Sequence, residues 1–272
     1  MNVEIGNNVG SMQMDYSDTR LYVIPPDQET RDDLLSIDRR TKEMLRMRHH
    51  IYANSDWECN TVANVVIETL LKVLYSHIRQ SGVNILSDDA DNTVNFYDLI
   101  EIAASNKKSE SAEKSGNINV KFTPGKKVEG IISDNVPDDQ KTIDYVNAAD
   151  AYSYPDDLAL TNAMRKIDHF ARKSLKDKYS ILFGKDFHAI AIAYVFIENL
   201  YRHMITKIVQ LDKSSVMINF NDLIEFHAIR KKENSVEIRL RPGMGAKLII
   251  KSDESTESDD DDGLDESGGI WP

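Results

Sequence analysis

Four carboxylates stand at two equivalent places in the sequence, and they are the first residues to consider for acid–base chemistry. Asp98 and Glu101 lie three residues apart, and Asp222 and Glu225 repeat that spacing. A pair of carboxylates can act as general acid and general base when one of them stays protonated. Because active sites often diverge after a duplication, a pair that recurs is interpreted as structural rather than catalytic.

Histidine and cysteine offer little for a metal site. His188, His203 and His227 lie in the second half of the chain without the short spacings of a zinc site, and Cys59 is the single cysteine. We therefore expect no metal and no cofactor. Cys59 stands in an apolar helical stretch, which predicts a small buried hydrophobe, and a lone cysteine fits a reducing compartment.

Two pairs of opposite charges have the spacing of neighbouring turns on a helix. Glu68 and Lys72 form one pair, and Glu198 and Arg202 form the other. Such pairs are usually salt bridges on a helix surface. The alternative is a polar contact between two copies of a repeated unit, since the pairs occupy equivalent places.

Basic residues line the two predicted hairpins, most of them in the second half of the chain, where they could form a ridge that contacts phosphates. The alternative is a solvated sheet face, or a docking surface for the acidic end of the chain. The residues are Lys126, Lys127, Arg230, Lys231, Lys232, Arg239, Arg241, Lys247 and Lys251.

All these residues belong to an internal repeat, which is the strongest signal in the sequence. Residues 94–101 and 218–225 are identical at six of eight positions. The flanking segments also align. Equivalent residues of the two copies are 130 positions apart before the signature, 124 within it and 118 after it. The identical pairs are Asn95/Asn219, Phe96/Phe220, Asp98/Asp222, Leu99/Leu223, Ile100/Ile224 and Glu101/Glu225.

The repeated signature itself has two interpretations. Alternating apolar residues favour a strand with one buried face, which would place Asp98 and Asp222 on the apolar side, where a carboxylate needs a partner. A helix with Asn95 and Asn219 as N-caps is the alternative. The β-branched residues favour the strand.

Hydrophobic periodicity predicts the remaining elements. Four long helices are expected, over residues 27–52, 56–80, 158–179 and 187–211. The first should lie on the surface, and the second and fourth should be largely buried. Each signature should be followed by a β-hairpin with a Pro-Gly turn, over residues 118–132 and 235–251.

These elements predict an α+β fold with an internal duplication of an α-α-β-β-β module. Each module should carry a small antiparallel sheet, and a pseudo-two-fold axis should relate the two, as in a fused dimer. The expected division is an arm at 1–25, module one at 26–134, a linker at 135–154, module two at 155–252 and an acidic tail at 253–272.

The two ends of the chain are the expected partner-binding segments. Leu21 and Val23 belong to a short apolar run that could add a strand to a sheet. The tail carries four consecutive aspartates, Asp259, Asp260, Asp261 and Asp262, and the apolar residues Ile270 and Trp271. We expect the tail to be disordered alone. Its composition resembles the acidic tails of single-stranded DNA-binding proteins, which recruit partners and compete with nucleic acid.

The charge balance argues against bulk nucleic-acid binding. The net charge is −12, and the nine acidic residues of the tail account for most of it, leaving −3 for the rest. A nucleic-acid-binding domain usually has a basic surplus. The sequence shows no signal peptide and no long apolar run, so we expect a cytoplasmic protein, or a virion protein if viral, without membrane contact.

The sequence therefore predicts a non-enzymatic structural protein that mediates protein–protein contacts or self-association in a larger assembly, such as a viral or phage virion component. The alternative is a replication or transcription factor associated with single-stranded nucleic acid, with a partner-recruiting acidic tail. An enzyme is third, because no phosphate loop, nucleophile elbow or metal spacing is present.

Overall fold

The computed structural model describes residues 22–81, 92–96, 98–106, 118–133, 158–232 and 235–251. Within them the chain is α+β, with six helices and two three-stranded antiparallel sheets. The elements are α1 (Gln28–His49), α2 (Glu58–Ser81), β1 (Asn92–Phe96), β2 (Ile100–Asn106), β3 (Ile118–Pro124), α3 (Lys126–Ser133), α4 (Leu158–Tyr179), α5 (His188–Gln210), β4 (Ser215–Phe220), β5 (Ile224–Lys232), β6 (Ser235–Pro242) and α6 (Met244–Lys251).

Helices α2 and α5 form the centre of the molecule and pack against each other. Both are apolar around most of their circumference, so nearly every described turn is buried, as predicted. The outer helices cross between the halves: α1 packs on α5, and α4 packs on α2. The short helices also cross, since α3 packs on α5 and α6 packs on α2.

Helix α1 is the surface helix that the sequence predicts. Leu34, Ile37 and Leu45 bury one stripe, while the opposite side is exposed. Asp27 caps its start, because the Asp27 carboxylate accepts the N–H of Thr30 at 2.8 Å.

The two sheets have strand orders β1-β2-β3 and β4-β5-β6, and they meet along β3 and β6. Alternate described residues of the strands are buried, and the sheets contact the central helices through β2 on α2 and through β4 and β5 on α5. Tyr201 of α5 reaches the first sheet, where its hydroxyl donates to the carbonyl of Leu99 at 3.0 Å. Matching buried rows cross the sheets at Val94, Ile102 and Phe122 and at Ile218, Phe226 and Leu240.

The repeated signature is a tight hairpin, so both a single strand and a helix are wrong for it. β1 ends before Asp98 and β4 ends before Asp222, and both aspartates have φ 60° and are exposed in the turn. Asn221 has φ 47°, so two consecutive residues are left-handed, as a type I′ hairpin turn requires. Asparagine and aspartate tolerate that conformation better than other residues with a side chain.

The segment after each Pro-Gly turn is a helix, so the expected returning strands at 128–132 and 246–251 are wrong. Val128 and Ile131 of α3 are three residues apart and buried, which is helical spacing. The sheets still have three strands each, because the signature supplies two of them and the segment after it supplies the third.

The arm does not add a strand within the described residues. Val23 instead uses both of its backbone groups on side chains of α2: its N–H donates to Thr61 Oγ1 at 3.0 Å, and its carbonyl accepts from Asn60 Nδ2 at 2.8 Å. Leu21 lies outside the described residues.

Candidate functional site

The loops between the paired helices have the same backbone design in both halves. α1 is followed by His50 in the left-handed region (φ 52°), and α4 is followed by Ser180 (φ 55°). The next residues, Ile51 and Ile181, are buried, and their N–H groups donate to helix carbonyls six residues back at 3.3 and 3.2 Å. A left-handed residue and a backbone hydrogen bond that spans it therefore end both helices, and together they fix the direction in which the chain leaves each helix.

The residues after these isoleucines are exposed apolar side chains. Tyr52 is 66% exposed and Leu182 is 72% exposed. They are the tip residues of the two loops, and they stand 130 residues apart. The loop backbone therefore presents one large apolar side chain to solvent at the same place in each half.

A buried aspartate fixes the far end of the first loop. Asp38 of α1 accepts the backbone N–H of Trp57 at 3.1 Å and that of Asn60 at 2.8 Å, which ties the start of α2 to α1. The Lys42 ammonium lies 3.8 Å from it. Burial, only partly offset by these contacts, raises the pKa of Asp38 to about 6.

Asp168 of α4 does the same for the second loop. Its carboxylate accepts the N–H of Phe187 at 2.8 Å and that of Ile190 at 3.3 Å, and Arg172 donates to it at 2.7 Å. Burial again raises the pKa of the carboxyl group. In both loops the residue held this way, Trp57 or Phe187, is buried with a left-handed backbone.

Asn60 connects the first loop to the second sheet. Its side-chain amide pairs with that of Asn221 in the β4–β5 turn, at 3.4 and 3.3 Å, while also binding Val23. The arm, α1, α2 and the second hairpin therefore converge on one buried residue.

Two of the four recurrent carboxylates, Asp98 and Asp222, bind asparagine side chains within the hairpin turns. The Asn95 amide donates to Asp98 at 2.6 Å and accepts the Asp98 N–H at 2.7 Å. Asn219 and Asp222 make the same two bonds, at 2.6 and 3.1 Å. Glu101 and Glu225 project from the exposed side of β2 and β5.

The two helix ion pairs differ in their surroundings. Glu68 and Lys72 form a salt bridge on the helix surface, at partly exposed positions. Glu198 is buried, bonded to Arg202 at 3.0 Å, and lies 3.8 Å from Arg48 of α1. The alternative of a contact between the halves therefore holds for Glu198.

The three histidines considered for a metal site lie beside different groups. His203 Nε2 lies 3.2 Å from Asp33 Oδ1, and Lys207 binds the same carboxylate. Burial lowers the pKa of His188, and His227 lies 3.9 Å from Glu225. Within the described ranges no group of three or more histidine, cysteine or acidic residues could hold a metal ion.

The basic residues of the second sheet are largely neutralised by acidic neighbours. Lys231 and Arg239 both contact Glu237, each at 2.6 Å, and Arg230 pairs with Asp212. Hydrogen bonds from Arg239 and Lys231 lower the pKa of Glu237 to about 2. Four further basic residues of the group predicted to contact phosphates are exposed: Lys126, Lys127, Arg241 and Lys247. The side chains of Lys232 and Lys251 lie outside the described set.

The predicted tail residues, Asp259 to Asp262, Ile270 and Trp271, also lie outside the described residues. In the part of the chain that the structure describes, no helix combines the length and apolarity needed to cross a membrane. Neither a protein-family model, nor a curated protein, nor a solved structure matches this chain.

The tip residues and the buried aspartates were not predicted from the sequence. A signal was present: the 130-residue spacing also relates Asp38 to Asp168, each preceded by isoleucine, and relates Ile51 to Ile181. An aspartate inside an apolar helical stripe at both places points to a shared buried contact, because a charge is buried only with partners.

Proposed function

We propose that this chain is a non-enzymatic structural protein that mediates protein–protein contacts in a larger assembly. We further propose that it consists of two copies of one module, related by a pseudo-two-fold axis, and that each copy supplies one apolar contact point. The tip residues Tyr52 and Leu182 carry the proposal.

The duplication is supported by the order of elements and by their packing. The order of two helices, three strands and one helix occurs twice along the described chain. The crossing contacts are reciprocal, as a two-fold axis requires: α1 on α5 with α4 on α2, and α3 on α5 with α6 on α2.

The assembly role is supported by the exposure of matched apolar side chains. A tyrosine or leucine at the end of a fixed loop can insert into a pocket of a neighbouring molecule and bury most of its surface there. Two such residues at equivalent places allow one chain to contact two neighbours in the same way. Replacing either tip residue with aspartate should weaken the contact that this residue makes and leave the other contact unchanged.

Light scattering over a range of protein concentrations tests the proposal. We expect the parent chain to form a defined oligomer, Tyr52→Asp and Leu182→Asp to stop at smaller species, and the double variant to remain monomeric. His50→Asp and Ser180→Asp are the matched controls, because they add the same charge two residues away at exposed left-handed positions that tolerate aspartate. A double variant that assembles like the parent would overturn the role of the tips.

A further inference from the structure

The short helices α3 and α6 occupy equivalent places but present different surfaces to solvent. Each follows the third strand of its sheet and buries one residue at the same point, Val128 in α3 and Ala246 in α6. On α6, Met244 and Leu248 lie one turn apart, are 64% and 61% exposed, and flank the exposed Lys247. The corresponding outer residues of α3 are Lys126, Glu129 and Gly130.

The apolar face of α6 is small. Two side chains on one turn offer far less than the roughly 800 Å² per partner that a stable protein–protein interface buries. The face therefore suits a short peptide with one or two apolar residues better than it suits a second folded domain. Lys247 lies beside the apolar pair, one turn from Met244, and α6 contains no acidic residue, so an acidic peptide is favoured.

The chain itself contains such a peptide, and it begins directly after α6. Residues 253–266 hold nine acidic residues, and Ile270 and Trp271 follow. As a random coil, the 18 residues between Lys251 and Ile270 would span about 23 Å, against about 12 Å for the length of α6. The tether also keeps the local concentration of the segment on the order of millimolar.

We propose that the chain's own C-terminal segment docks on α6, with Ile270 and Trp271 on Met244 and Leu248. The aspartates of residues 259–262 are attracted by Lys247 and by the exposed Arg241 on the adjoining strand. This docking does not depend on the proposed assembly role, since it occurs within one chain. It gives the face of α6 an occupant that α3 lacks.

The fluorescence of Trp271 in the full-length chain tests the docking. Trp57→Phe leaves Trp271 as the only tryptophan, and phenylalanine suits position 57 because Phe187 holds the equivalent left-handed position. We expect short-wavelength emission that moves to longer wavelength in Leu248→Asp. Gly130→Asp is the matched control on α3, where an added Cβ meets nothing within 4 Å, and it should leave the emission unchanged.

Met244→Lys, which introduces the α3 residue, provides a second variant that should give the same shift. Circular dichroism checks that each variant is folded. Long-wavelength emission in the parent, or emission that neither α6 variant changes, would overturn the docking. A short-wavelength emission that disappears on dilution would also overturn it, because the occupant would then be the tail of a second copy.

Discussion

The two helix pairs that cross between the halves have the same arrangement but different chemistry. α1 meets α5 through polar groups: Asp33 with His203 and Lys207, Thr41 with Asn199 at 3.2 Å, and Arg48 with Glu198 at 3.8 Å. α4 meets α2 with Ala163 and Ala171, both buried, at the positions that match Asp33 and Thr41.

This difference distinguishes the contacts that the helix crossing requires from the contacts that select which two helices pair. Buried alanines stand on α4 where α1 carries Asp33 and Thr41, so polar groups at those two positions are not needed for the crossing itself. The polar groups on α1 and α5 pair with one another in the observed register, and a shifted helix would break these pairs and leave buried groups without partners. The polar pair therefore distinguishes α5 from α2 as the partner of α1.

The largest expected effect concerns a feature that both halves share. Gly125 and Gly243 lie against the turn carbonyls of Asp98 and Asp222, and an added Cβ would lie 2.2 and 2.1 Å from those oxygens. Either glycine replaced by alanine should lower the free energy of unfolding by about 3 kcal/mol or more. Gly130→Ala, at an open helical position, should raise it by up to about 1 kcal/mol. Equal effects at Gly125 and Gly130 in urea unfolding would contradict this.

The next largest effect on the free energy of unfolding should come from placing the residue type of one helix pair at the matching position of the other. Ala163→Asp buries a carboxylate in an apolar contact and should cost about 3 kcal/mol. Asp33→Ala removes the partner of His203 and Lys207, which are partly exposed, and should cost about 1–3 kcal/mol. The same unfolding measurement compares them, and a neutral Ala163→Asp would show that this contact is not apolar.

The effect of Asp33→Ala should also depend on pH. Burial would raise the pKa of Asp33, but the hydrogen bonds from His203 and Lys207 together hold it below its usual range. The stability that Asp33 contributes is therefore present above the ordinary carboxyl pKa and lost as the pH falls through the lowered value. The difference between parent and variant should shrink in acid, and a difference that grows there would contradict the ion pair.

Asp38 should show the opposite pH dependence although it lies on the same helix. Its pKa is raised to about 6, so the folded state binds a proton before the unfolded state does. Its contribution to stability is complete below the unfolded pKa and is lost as the pH rises through about 6. Asp38→Asn keeps only one acceptor for two N–H groups and should cost about 1–3 kcal/mol. That cost should grow as the pH falls from 7 to 4, and a cost that is constant would exclude the raised pKa.

The smallest effect should come from the helix ion pairs. Glu68→Ala removes a surface pair and should cost about 0.3–0.5 kcal/mol. Glu198→Ala leaves Arg202 and Arg48 without a buried partner and should cost more, about 1–2 kcal/mol. Equal costs in thermal unfolding would remove the distinction between a surface pair and a pair that joins the halves.

Local patterns predicted the long helices well but not the turns. The bounds of α4 agree with the sequence prediction, because a 3.6-residue period over 22 residues is a strong signal. The hairpin inside the signature was overlooked because apolar residues continue on both sides of Asp98, which masks the turn. The returning strands were wrong because a short apolar run has no clear period.

The candidate site depended on contacts that no local pattern contains. Tyr52 is exposed because Ile51 beside it is buried, and Asp38 is buried because it binds Trp57, 19 residues away. Asp33 and His203 are 170 residues apart. The sequence carries information about Asp38 and Ile51 in one form, the 130-residue spacing that relates them to Asp168 and Ile181.

The most direct test of the assembly role is the mass of the intact chain in solution over a range of concentrations, with and without a single-stranded oligonucleotide. We expect a defined oligomer whose mass rises with protein concentration and does not change with the oligonucleotide. A chain that stays monomeric at every concentration, and gains mass only when the oligonucleotide is added, would contradict the assembly role and favour nucleic-acid binding.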